Sequence, residues 1–399
     1  MAEGPTDLRV LVITKIFPNA LEPLSSPFNR QQFAALGKLC QVEVLASIPW
    51  FPAARAFQKW SAAGRLVDVP RQDRIDGLSV HHPRFLFLPR YGHAFSGALY
   101  AASLLPEVLR YRGRVDVVLG SWAYPDGVAA VMLAKLMGVP SVVKLHGSDI
   151  NVVSKLRGPQ QNLRWALPQA ARVVAVSRAL GEEVVSLGVK RERVKIVTNG
   201  VDPELFHPAD RAAARRELGR ASDGKLIVYV GRLERSKGVV DLLDAFAMLA
   251  KKRPDLSLVL VGDGAARQEC AERAAQLGAQ VTLAGARPLA EVPRWMAACD
   301  LLTLPSWNEG TPNVLLEALA CGRRVVATRT GGIPDVVTGP SLGELVPVKD
   351  PPALAAALER VADGTYDEER IAAEGVRGGW ADSATRLHQV LQEAVEMRN

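Results

Sequence analysis

Cysteines are few in this sequence and long hydrophobic runs are absent, which excludes several classes of protein. The four cysteines form neither a CxxC motif nor a His-paired metal spacing, so we expect buried thiols in a reducing cytosol rather than disulfides or a metal centre. They are Cys40, Cys270, Cys299 and Cys321. The most apolar stretch, residues 127–143, is interrupted by Lys135 and Pro140. It falls short of the roughly 18 uninterrupted apolar residues of a membrane-spanning helix.

Several catalytic signatures are also missing. The sequence contains no GxSxG nucleophile motif, no GxxxxGK[ST] phosphate-binding loop and no HExxH or DxD cluster in a fitting context. The opening residues, Met1–Pro5, lack the basic and apolar regions of a secretory signal. We therefore expect a cytoplasmic protein without a metal site.

The composition is that of a globular protein with two differently charged halves. At 399 residues, with 48% apolar and 23% charged content, the chain is long enough for two domains. Residues 1–200 hold 25 Lys and Arg against 14 Asp and Glu, a net charge of +11, whereas residues 201–399 hold 24 against 28, a net charge of −4. The basic half is suited to nucleic acid, anionic lipid or a phosphorylated substrate, or it is a solvated surface, because no dense basic run is present.

Strands and helices alternate at the start of the chain. Arg9–Ile13 and Val42–Ala46 are short apolar runs that favour strands buried on both faces, and Asn29–Leu39 between them has helical spacing. Parallel strands need crossover connections, so this order predicts a doubly wound parallel sheet.

Residues 47–95 interrupt the alternation with aromatic and basic residues, among them Pro49–Pro52, Phe57–Trp60 and Arg84–Tyr91. Such a combination can dock on a membrane interface. It can equally be an apolar insertion packed on its own domain. Peripheral membrane association through residues 47–95 is therefore one of two hypotheses for this segment.

The alternation resumes with strands at Val115–Leu119 and Ser141–Leu145, on either side of a helix at Asp126–Gly138. The second strand leads directly into His146. Ligands of open α/β sheets bind beyond the carboxyl ends of the strands, so His146 occupies a position suited to function. A single histidine is nevertheless more often structural.

A second α/β unit follows the turn at Asn199–Pro203, whose Asn-Gly and Asp-Pro pairs mark a boundary. Its first strand is predicted at Leu226–Val230. Further strands are predicted at Leu258–Val261, Val281–Leu283, Leu301–Leu304 and Val325–Ala327. Residues 381–397 are predicted to form a last amphipathic helix.

Two cations, Arg232 and Lys237, flank the turn Gly231–Gly238 after the first strand of the second unit. A guanidinium and an ammonium beside a helix N-terminus suit a diphosphate. A solvated basic turn would have the same pattern.

Three glycine-containing turns follow later strands of this unit. Gly262–Gly264 predicts a tight turn with close backbone approach, although the third glycine of the dinucleotide motif is missing. Gly285–Pro288 includes Arg287 and could offer backbone groups to a base, but an ordinary turn is favoured. The paired glycines of Gly331–Asp335 permit close approach to a ligand.

Two acids, Glu309 and Glu317, flank a predicted helix start near Asn313. Helix N-termini attract anions, so acids at this place are suited to grip hydroxyl groups of a ligand that also carries phosphate. A capped surface helix with two solvated acids is the alternative.

Together these segments resemble family 4 glycosyltransferases. The donor-binding half of that family contains an E-x7-E motif, matched here by Glu309 and Glu317, and a basic turn matched by Gly231–Gly238. The N-terminal half matches at His146–Ile150 and Asn199–Asp202. The resemblance covers nearly the whole chain, and the order and spacing of the motifs are specific.

The resemblance implies a GT-B fold, with two Rossmann-like doubly wound parallel-sheet domains facing a cleft. The N-terminal, acceptor-binding domain would comprise residues 1–200 joined by the C-terminal helix 380–399. The nucleotide-sugar-binding domain would comprise residues 201–379. Retaining transfer of a hexose-type sugar, without a required metal, is implied.

The resemblance also implies individual roles. Glu309 would bind the donor sugar, Glu317 the ribose hydroxyls, and His146 the sugar from the opposite domain. Arg232 and Lys237 would neutralise the diphosphate, so that Glu309, His146, Arg232 and Lys237 are the expected catalytic residues. The full set expected to bind the donor is Arg232, Lys237, Gly262, Arg287, Glu309, Gly310, Thr311, Asn313, Val314 and Glu317.

The expected donor is a UDP- or GDP-sugar, and the expected acceptor is a glycan or a lipid-linked molecule of exopolysaccharide, capsule or glycolipid synthesis. No nucleic-acid partner is expected. The alternatives are a nucleotide-sugar epimerase of the same two-domain architecture and a non-catalytic protein that binds a sugar nucleotide. One departure concerns the first loop: many relatives have a Gly-Gly turn there, whereas residues 17–28 lack one. Pro312 also has no amide to donate.

Overall fold

A computed structural model describes residues 7–58, 60–87, 96–151, 156–221, 223–375 and 378–398. Contacts divide the chain into two units. Unit 1 comprises Met1–Asn199 and Trp380–Asn399, and unit 2 comprises Gly200–Gly379. The described part of each unit is an α/β structure built on a mainly parallel sheet.

Apolar, β-branched runs form the central strands of both units, and their buried faces explain the lack of polar alternation. In unit 1 the strands are β1 (Arg9–Thr14), β2 (Gln41–Ala46), β3 (Ile48–Trp50), β4 (Gln72–Ile75), β5 (Leu78–His81), β6 (Arg84–Leu86), β7 (Val117–Ser121), β8 (Ser141–Leu145), β9 (Arg172–Ala175) and β10 (Val194–Ile196). In unit 2 they are β11 (Lys225–Val230), β12 (Leu256–Val261), β13 (Val281–Gly285), β14 (Leu301–Leu304), β15 (Arg324–Thr328) and β16 (Gly343–Val346).

Helices connect the strands and cover the sheets. Unit 1 contains α1 (Pro27–Leu36), α2 (Ala62–Arg65), α3 (Ser96–Val108), α4 (Val128–Met137), α5 (Ser148–Asn151), α6 (Arg157–Ala166) and α7 (Arg178–Ser186). Unit 2 contains α8 (Arg211–Glu217), α9 (Val239–Ala250), α10 (Arg267–Leu277), α11 (Val292–Ala298), α12 (Asn313–Ala320), α13 (Ile333–Val336), α14 (Pro351–Asp363) and α15 (Glu368–Gly375). The last helix, α16 (Trp380–Glu396), returns to unit 1.

The strand order places a reversal in each sheet. Unit 1 has the order β10-β9-β8-β7-β1-β2-β5-β4, parallel except for the β4–β5 pair, and unit 2 has the all-parallel order β13-β12-β11-β14-β15-β16. Strand order reverses between β1 and β7 in unit 1 and between β11 and β14 in unit 2. Open sheets of this kind bind ligands in the crevice beyond the carboxyl ends of the strands at such a switch point. The predicted fold class, doubly wound parallel sheets in two domains, is confirmed.

The segment 47–95 is more regular than its composition indicated. β5 extends the main sheet of unit 1 beside β2, and β3 and β6 form a separate parallel pair. The segment packs on its own domain through Leu78, Val80 and Phe85, which belong to the apolar clusters of the main sheet. Ile48, Leu66 and Val69 form a separate small cluster within the segment. Part of the aromatic and basic pattern, Lys59 and residues 88–95, lies outside the described residues.

Helix α16 closes the core of unit 1. Its buried side chains Ala384, Leu387, Leu391 and Ala394 belong to the same apolar cluster as Phe33. A polar chain reinforces this contact: the side-chain amide of Gln32 donates to Ser383 at 2.8 Å, and Ser383 donates to the carbonyl of Thr198 at 2.6 Å. No helix of the described residues is both long and apolar enough to cross a membrane.

Candidate active site

The loops after β11 and β14 meet at the switch point of unit 2. Lys237 follows β11 and Glu309 follows β14. The two strands are neighbours in the sheet although β12 and β13 lie between them in sequence. This topology brings together two predicted site residues that are 72 positions apart.

Lys237 and Glu309 form a partly buried ion pair. The Nζ atom of Lys237 lies 2.6 Å from Oε1 of Glu309, and the side chains retain only 20% and 12% of their surface exposed. The Ser306 hydroxyl donates to the same oxygen at 2.7 Å. Because the pair is partly shielded from water, its Coulomb attraction is stronger than that of an open surface pair.

Backbone contacts hold the loop of Lys237 against the loop of Glu309. Gly238 has φ 68°, and a Cβ atom at this position would lie 1.9 Å from the carbonyl oxygen of Pro305. Only glycine meets both demands. The amide of Trp307 donates to the carbonyl of Ser236 at 2.9 Å. The position of the ion pair is therefore fixed by main-chain packing as well as by charge.

The paired glycines after β15, Gly331 and Gly332, also lie where two loops pack closely together. Gly331 has φ 50°, and a Cβ atom there would lie 1.8 Å from the carbonyl oxygen of Glu309. The sequence predicted close approach to a ligand, and the approach in the structure is to the chain itself. Gly262 repeats this arrangement, since its Cβ would lie 1.8 Å from the carbonyl oxygen of Gly231. Close packing of strand-end loops is the reason for glycine at both places.

Glu317 lies half-buried on α12, which begins immediately after Pro312. Burial raises the pKa of Glu317 to about 7, because a carboxylate loses hydration when it leaves water. Among the described residues, no side chain donates a hydrogen bond to this carboxyl. A ligand hydroxyl would supply the missing donor and favour the ionised form.

The other expected donor-binding residues on this loop surround the start of α12. Gly310 is buried, and Thr311 and Asn313 are partly buried. Val314 packs against the apolar core of unit 2. Their backbone groups thus lie on a rigid support next to Glu309 and Glu317.

Arg232 and Arg287 are more exposed than Lys237. The guanidinium of Arg232 donates to Glu234 at 2.8 Å, and its side chain is 69% exposed. The carbonyl of Arg232 accepts a hydrogen bond from Tyr229 at 2.8 Å, which fixes the backbone. Arg287, 40% exposed, lies 3.6 Å from Glu291. Neither guanidinium joins the Lys237–Glu309 pair in the structure.

His146 belongs to unit 1, at the carboxyl end of β8. Its Nε2 atom lies 2.9 Å from the hydroxyl of Ser121. Ser121 in turn donates to the side-chain oxygen of Asn29 at 3.1 Å, and the amide nitrogen of Asn29 donates to the carbonyl of Ile16 at 2.8 Å. Since Ser121 has a single proton and uses it on Asn29, the network assigns a hydrogen to Nε2 of His146 and leaves Nδ1 as an acceptor.

The Nδ1 atom of His146 is buried and has no partner among the described residues. Burial, followed by the charge of Lys144, holds the pKa of His146 well below its ordinary value, so the ring is neutral at physiological pH. The loop is fixed by Asp149, which accepts from the amides of His146 at 3.1 Å and Gly147 at 2.7 Å. Buried acceptors without a partner are uncommon in folded proteins, so Nδ1 is a candidate to accept a hydrogen bond from a ligand.

Three residues at the switch point of unit 1 were not predicted from the sequence. Lys15 follows β1, and Trp122 and Asp126 follow β7. Trp122 has φ 113°, far outside the usual range of a bulky residue. Such a backbone costs on the order of 1–3 kcal/mol and is concentrated at functional sites. The aromatic and acidic run after Val115–Leu119 was the signal available in the sequence.

Asp126 is a fully buried carboxyl within this group. Its Oδ1 atom accepts from the backbone amide of Lys15 at 2.5 Å and from the hydroxyl of Tyr100 at 3.2 Å. The Oδ2 atom has no partner among the described residues. Burial raises the pKa of Asp126 to about 6, and the charge of Lys15 opposes this change.

In the described ranges, no group of three or more His, Cys, Asp or Glu side chains is arranged to hold a metal ion. The groups suited to a charged ligand are instead the cations Arg232 and Lys237 in unit 2 and Lys15 in unit 1.

Comparison with known families and proteins covers both units. The model of glycosyltransferase family 4 matches residues 34–205, and that of glycosyl transferases group 1 matches residues 224–363. TuaC of Bacillus subtilis strain 168, a glycosyltransferase assigned to teichuronic acid biosynthesis, is 30% identical over 370 residues, which are 91% of this chain and 90% of TuaC. A D-inositol 3-phosphate glycosyltransferase of Thermobispora bispora is 33% identical over 322 residues, 73% of this chain and 74% of that protein.

Solved structures show the same fold at low identity. Alr3699/HepE of Anabaena in complex with UDP has a TM-score of 0.72 and 22% identity, and the match covers 96% of this chain and 100% of that one. Sucrose-phosphate synthase of Thermosynechococcus elongatus has a TM-score of 0.76 and 19% identity, covering 98% and 100%. The chain therefore belongs to glycosyltransferase family 4, and its two domains have the GT-B fold.

Proposed function

We propose that this glycosyltransferase moves a hexose-type sugar from a nucleotide diphosphate donor to a glycan or lipid-linked acceptor, with retention of configuration. The observation that carries the proposal is the Lys237–Glu309 pair, 2.6 Å apart at the switch point of unit 2. A carboxylate for sugar hydroxyls and an ammonium for phosphate then stand side by side, as a sugar diphosphate requires.

The proposed chemistry relies on electrostatic stabilisation. As the bond between sugar C1 and the diphosphate oxygen breaks, negative charge grows on the leaving phosphate and positive charge grows at C1. Lys237 and Arg232 stabilise the phosphate, and the nearby Glu309 carboxylate orients the sugar. The acceptor oxygen attacks C1 from the same face and passes its proton to the leaving phosphate. No resident metal is needed in this scheme, because the two side chains supply the positive charge.

We propose that the nucleotide binds beside α12, through Glu317. Glu317 has a carboxyl without a hydrogen-bond donor among the described residues, and vicinal ribose hydroxyls would provide two. We expect a uridine or guanosine diphosphate sugar. Uridine is supported by Alr3699/HepE, a protein of the same fold, which has been solved with UDP and with UDP-glucose.

His146 is proposed as a sugar-binding residue of unit 1. Its neutral ring offers Nδ1 as an acceptor for a hydroxyl group, because Ser121 occupies Nε2. Phe28 and Trp122 pack against the imidazole at centroid distances of 4.9 Å and 5.9 Å. These contacts hold the ring in one orientation.

The acceptor is expected to belong to a surface polysaccharide or glycolipid, and the protein is proposed to act at the inner face of the cell membrane. Within the described part of residues 47–95, Trp50, Phe57 and Trp60 are exposed by 39%, 47% and 84%. Exposed arginines lie in the same segment, Arg55 and Arg65 among them. Aromatic side chains with basic neighbours favour an anionic lipid interface.

Incubation with UDP-, GDP- and ADP-sugars tests the proposal. Transfer to an acceptor or slow hydrolysis of one donor is the expected result, with the anomeric configuration of the product determined by NMR. An isomerised donor would favour the epimerase alternative, and binding without turnover would favour a sugar-nucleotide-binding protein. An inverted product would overturn retention while leaving transfer intact.

Flotation with anionic liposomes tests the membrane proposal separately. The wild-type protein should float at low salt and less so at high salt, because screening weakens attraction to the lipid surface. A Trp60→Ser variant should float less. Absence of recruitment at low salt would contradict membrane association.

A further inference from the structure

The switch point of unit 1 contains an aromatic ring and a cation to which the proposed donor binding assigns no direct contact. Lys15 follows β1 and Trp122 follows β7, and these two neighbouring strands are the place where the order of the sheet reverses. The same topological position in unit 2 holds Lys237 and Glu309. Ligands bind at such positions in open α/β sheets.

Trp122 is held in an unfavourable backbone conformation by contacts on both sides. Its amide donates to the carbonyl of Lys144 at 2.9 Å, and its carbonyl accepts from the amide of Gly127 at 2.9 Å. The next amide, that of Ala123, donates to Asp149 at 2.9 Å. With φ at 113°, glycine would be the unstrained choice here. The presence of a large indole at a position suited to glycine indicates that the ring itself has a function.

The indole is only partly covered by its neighbours. Its ring is partly exposed, and the imidazole of His146 stacks on it with centroids 5.9 Å apart and planes 23° from parallel. An aromatic face at the edge of a binding crevice offers an apolar platform with defined orientation. The apolar C–H face of a pyranose fits such a platform.

Lys15 places a positive charge over the same ring. Its Nζ atom lies 5.9 Å from the centroid of Trp122 and 3.4 Å from the carbonyl of Tyr124. The side chain is exposed, and it forms no ion pair with any residue that the structure describes. The neighbouring acid, Asp126, is buried and bound to the backbone of Lys15 rather than to its ammonium. The ammonium therefore remains available to an anion.

We infer that Trp122 and Lys15 form an acceptor subsite for a sugar ring that carries an acidic group, with the ring stacked on the indole and the carboxylate or phosphate paired with the ammonium. This inference rests on the proposed transfer function, whose acceptor it specifies. Both residues act by binding and take no part in bond breaking.

Saturation-transfer NMR with the full-length protein and UDP tests the subsite with three probes: D-glucuronic acid, D-glucose 6-phosphate and D-glucose. At least one acidic sugar should bind about ten-fold more tightly than glucose, which corresponds to about 1.4 kcal/mol. A preference for glucuronic acid identifies a carboxylate, and a preference for glucose 6-phosphate identifies a phosphate. Equal binding of all three would overturn the role of Lys15.

Variants separate the two contributions. Trp122→Leu should weaken all three probes by about ten-fold, and Trp122→Phe should restore most of the affinity because it retains an aromatic face. Lys15→Met should remove the preference for acidic sugars and leave glucose unchanged. Because Lys15 is exposed, this variant keeps the test valid even if replacement of Trp122 impairs folding.

Unit 1 contains a matched control pair. Lys135 lies over the ring of Trp165 at 5.8 Å, so the chemistry is the same, but the pair belongs to α4 and α6 rather than to the switch point. Lys135→Met and Trp165→Leu should leave probe binding unchanged. If they weaken the probes as much as the changes at Lys15 and Trp122 do, the assigned subsite is wrong.

Donor hydrolysis without an acceptor distinguishes failure of this inference from failure of the proposed function. In Lys15→Met, hydrolysis should continue at the wild-type rate while the acceptor KM rises about ten-fold. A wild-type protein that consumes no donor would refute the transfer function. Normal turnover with an unchanged acceptor KM in Lys15→Met would refute only the subsite.

Discussion

The ammonium of Lys237 lies 2.6 Å from Oε1 of Glu309 and pairs residues from two loops of unit 2. Each group partly neutralises the other before a donor binds. When a sugar diphosphate enters, the ammonium gains a second anionic partner and the carboxylate gains hydroxyl donors. The pair therefore holds side by side the two charges that the donor needs.

Glu309→Gln should lower kcat by about 10²–10³-fold, the range for loss of one preorganised electrostatic group. The amide keeps the shape but removes the charge that holds Lys237. Steady-state kinetics with the active donor measures the effect. Glu344→Gln breaks another ion pair of unit 2, Arg360–Glu344, and should leave kcat unchanged. Wild-type kcat in Glu309→Gln would remove Glu309 from the active site.

Arg232→Ala should also lower kcat by about 10²–10³-fold, because the leaving diphosphate loses a guanidinium. Arg235→Ala is a close control. Arg235 lies on the same turn, is 66% exposed and pairs with Glu269, much as Arg232 is 69% exposed and pairs with Glu234. Equal losses in the two variants would show that general positive charge, rather than a specific contact of Arg232, supports turnover.

Gly331→Ala should impair both stability and turnover. A Cβ atom at this position would lie 1.8 Å from the carbonyl oxygen of Glu309, and φ is 50°. We expect the free energy of unfolding to fall by about 1–3 kcal/mol, the cost of a strained backbone, and kcat to fall because Glu309 moves. Denaturant unfolding and kinetics measure the two effects. Gly339→Ala, whose nearest neighbour would be 3.7 Å away, should change neither.

UDP affinity should fall as the pH drops below about 7, because the pKa of Glu317 is raised to about 7 by burial. Ribose hydroxyls donate to the carboxylate and not to the protonated acid, so the dissociation constant should rise by up to about ten-fold per pH unit. Calorimetry from pH 5 to 8 measures this. In the Glu317→Gln variant the phosphate of UDP still titrates, but the side chain at position 317 does not. An identical pH profile in the variant would exclude Glu317 from nucleotide binding.

The same carboxyl affects stability with a definite sign. The folded protein binds a proton at Glu317 more tightly than the unfolded chain, in which the pKa of this carboxyl is near 4.5. Stability from this group is thus present at low pH and is lost as the pH rises from 4.5 to about 7. Urea unfolding of the wild type and of Glu317→Gln should show a flatter pH dependence in the variant across this window. A parallel dependence would contradict the raised pKa.

Much of the fold was predictable because it depends on local pattern. The apolar run Arg9–Ile13 became β1, and the helical spacing of residues 381–397 became α16, each within one or two residues. The helix predicted at Asp126–Gly138 begins later, at Val128. The first predicted residues, Asp126 and Gly127, belong to a π-helical turn at Ala123–Gly127 that leads directly into this helix, and the carboxyl of Asp126 accepts from the amide of Lys15 there.

The candidate site was only partly predictable. The resemblance placed Glu309 and Lys237 in one donor site, but their direct ion pair depends on β11 lying beside β14, which no local pattern specifies. The strained backbone of Trp122 likewise has no signature in the sequence, since φ is fixed by hydrogen bonds to Lys144 and Gly127. Periodicity predicts individual strands and helices, but it does not predict contacts between residues that are far apart in sequence.

Helix α16 has a consequence for the order in which the protein can fold during synthesis. Leu387 and Leu391 complete the core that surrounds Phe33, yet the ribosome makes them only after all of unit 2. Unit 1 therefore emerges first with an uncovered apolar face and remains incomplete until α16 has been made. Unit 2, whose residues are contiguous in sequence, can reach its native state earlier although it is made later. A chain interrupted before α16 would lose unit 1 while retaining a folded unit 2.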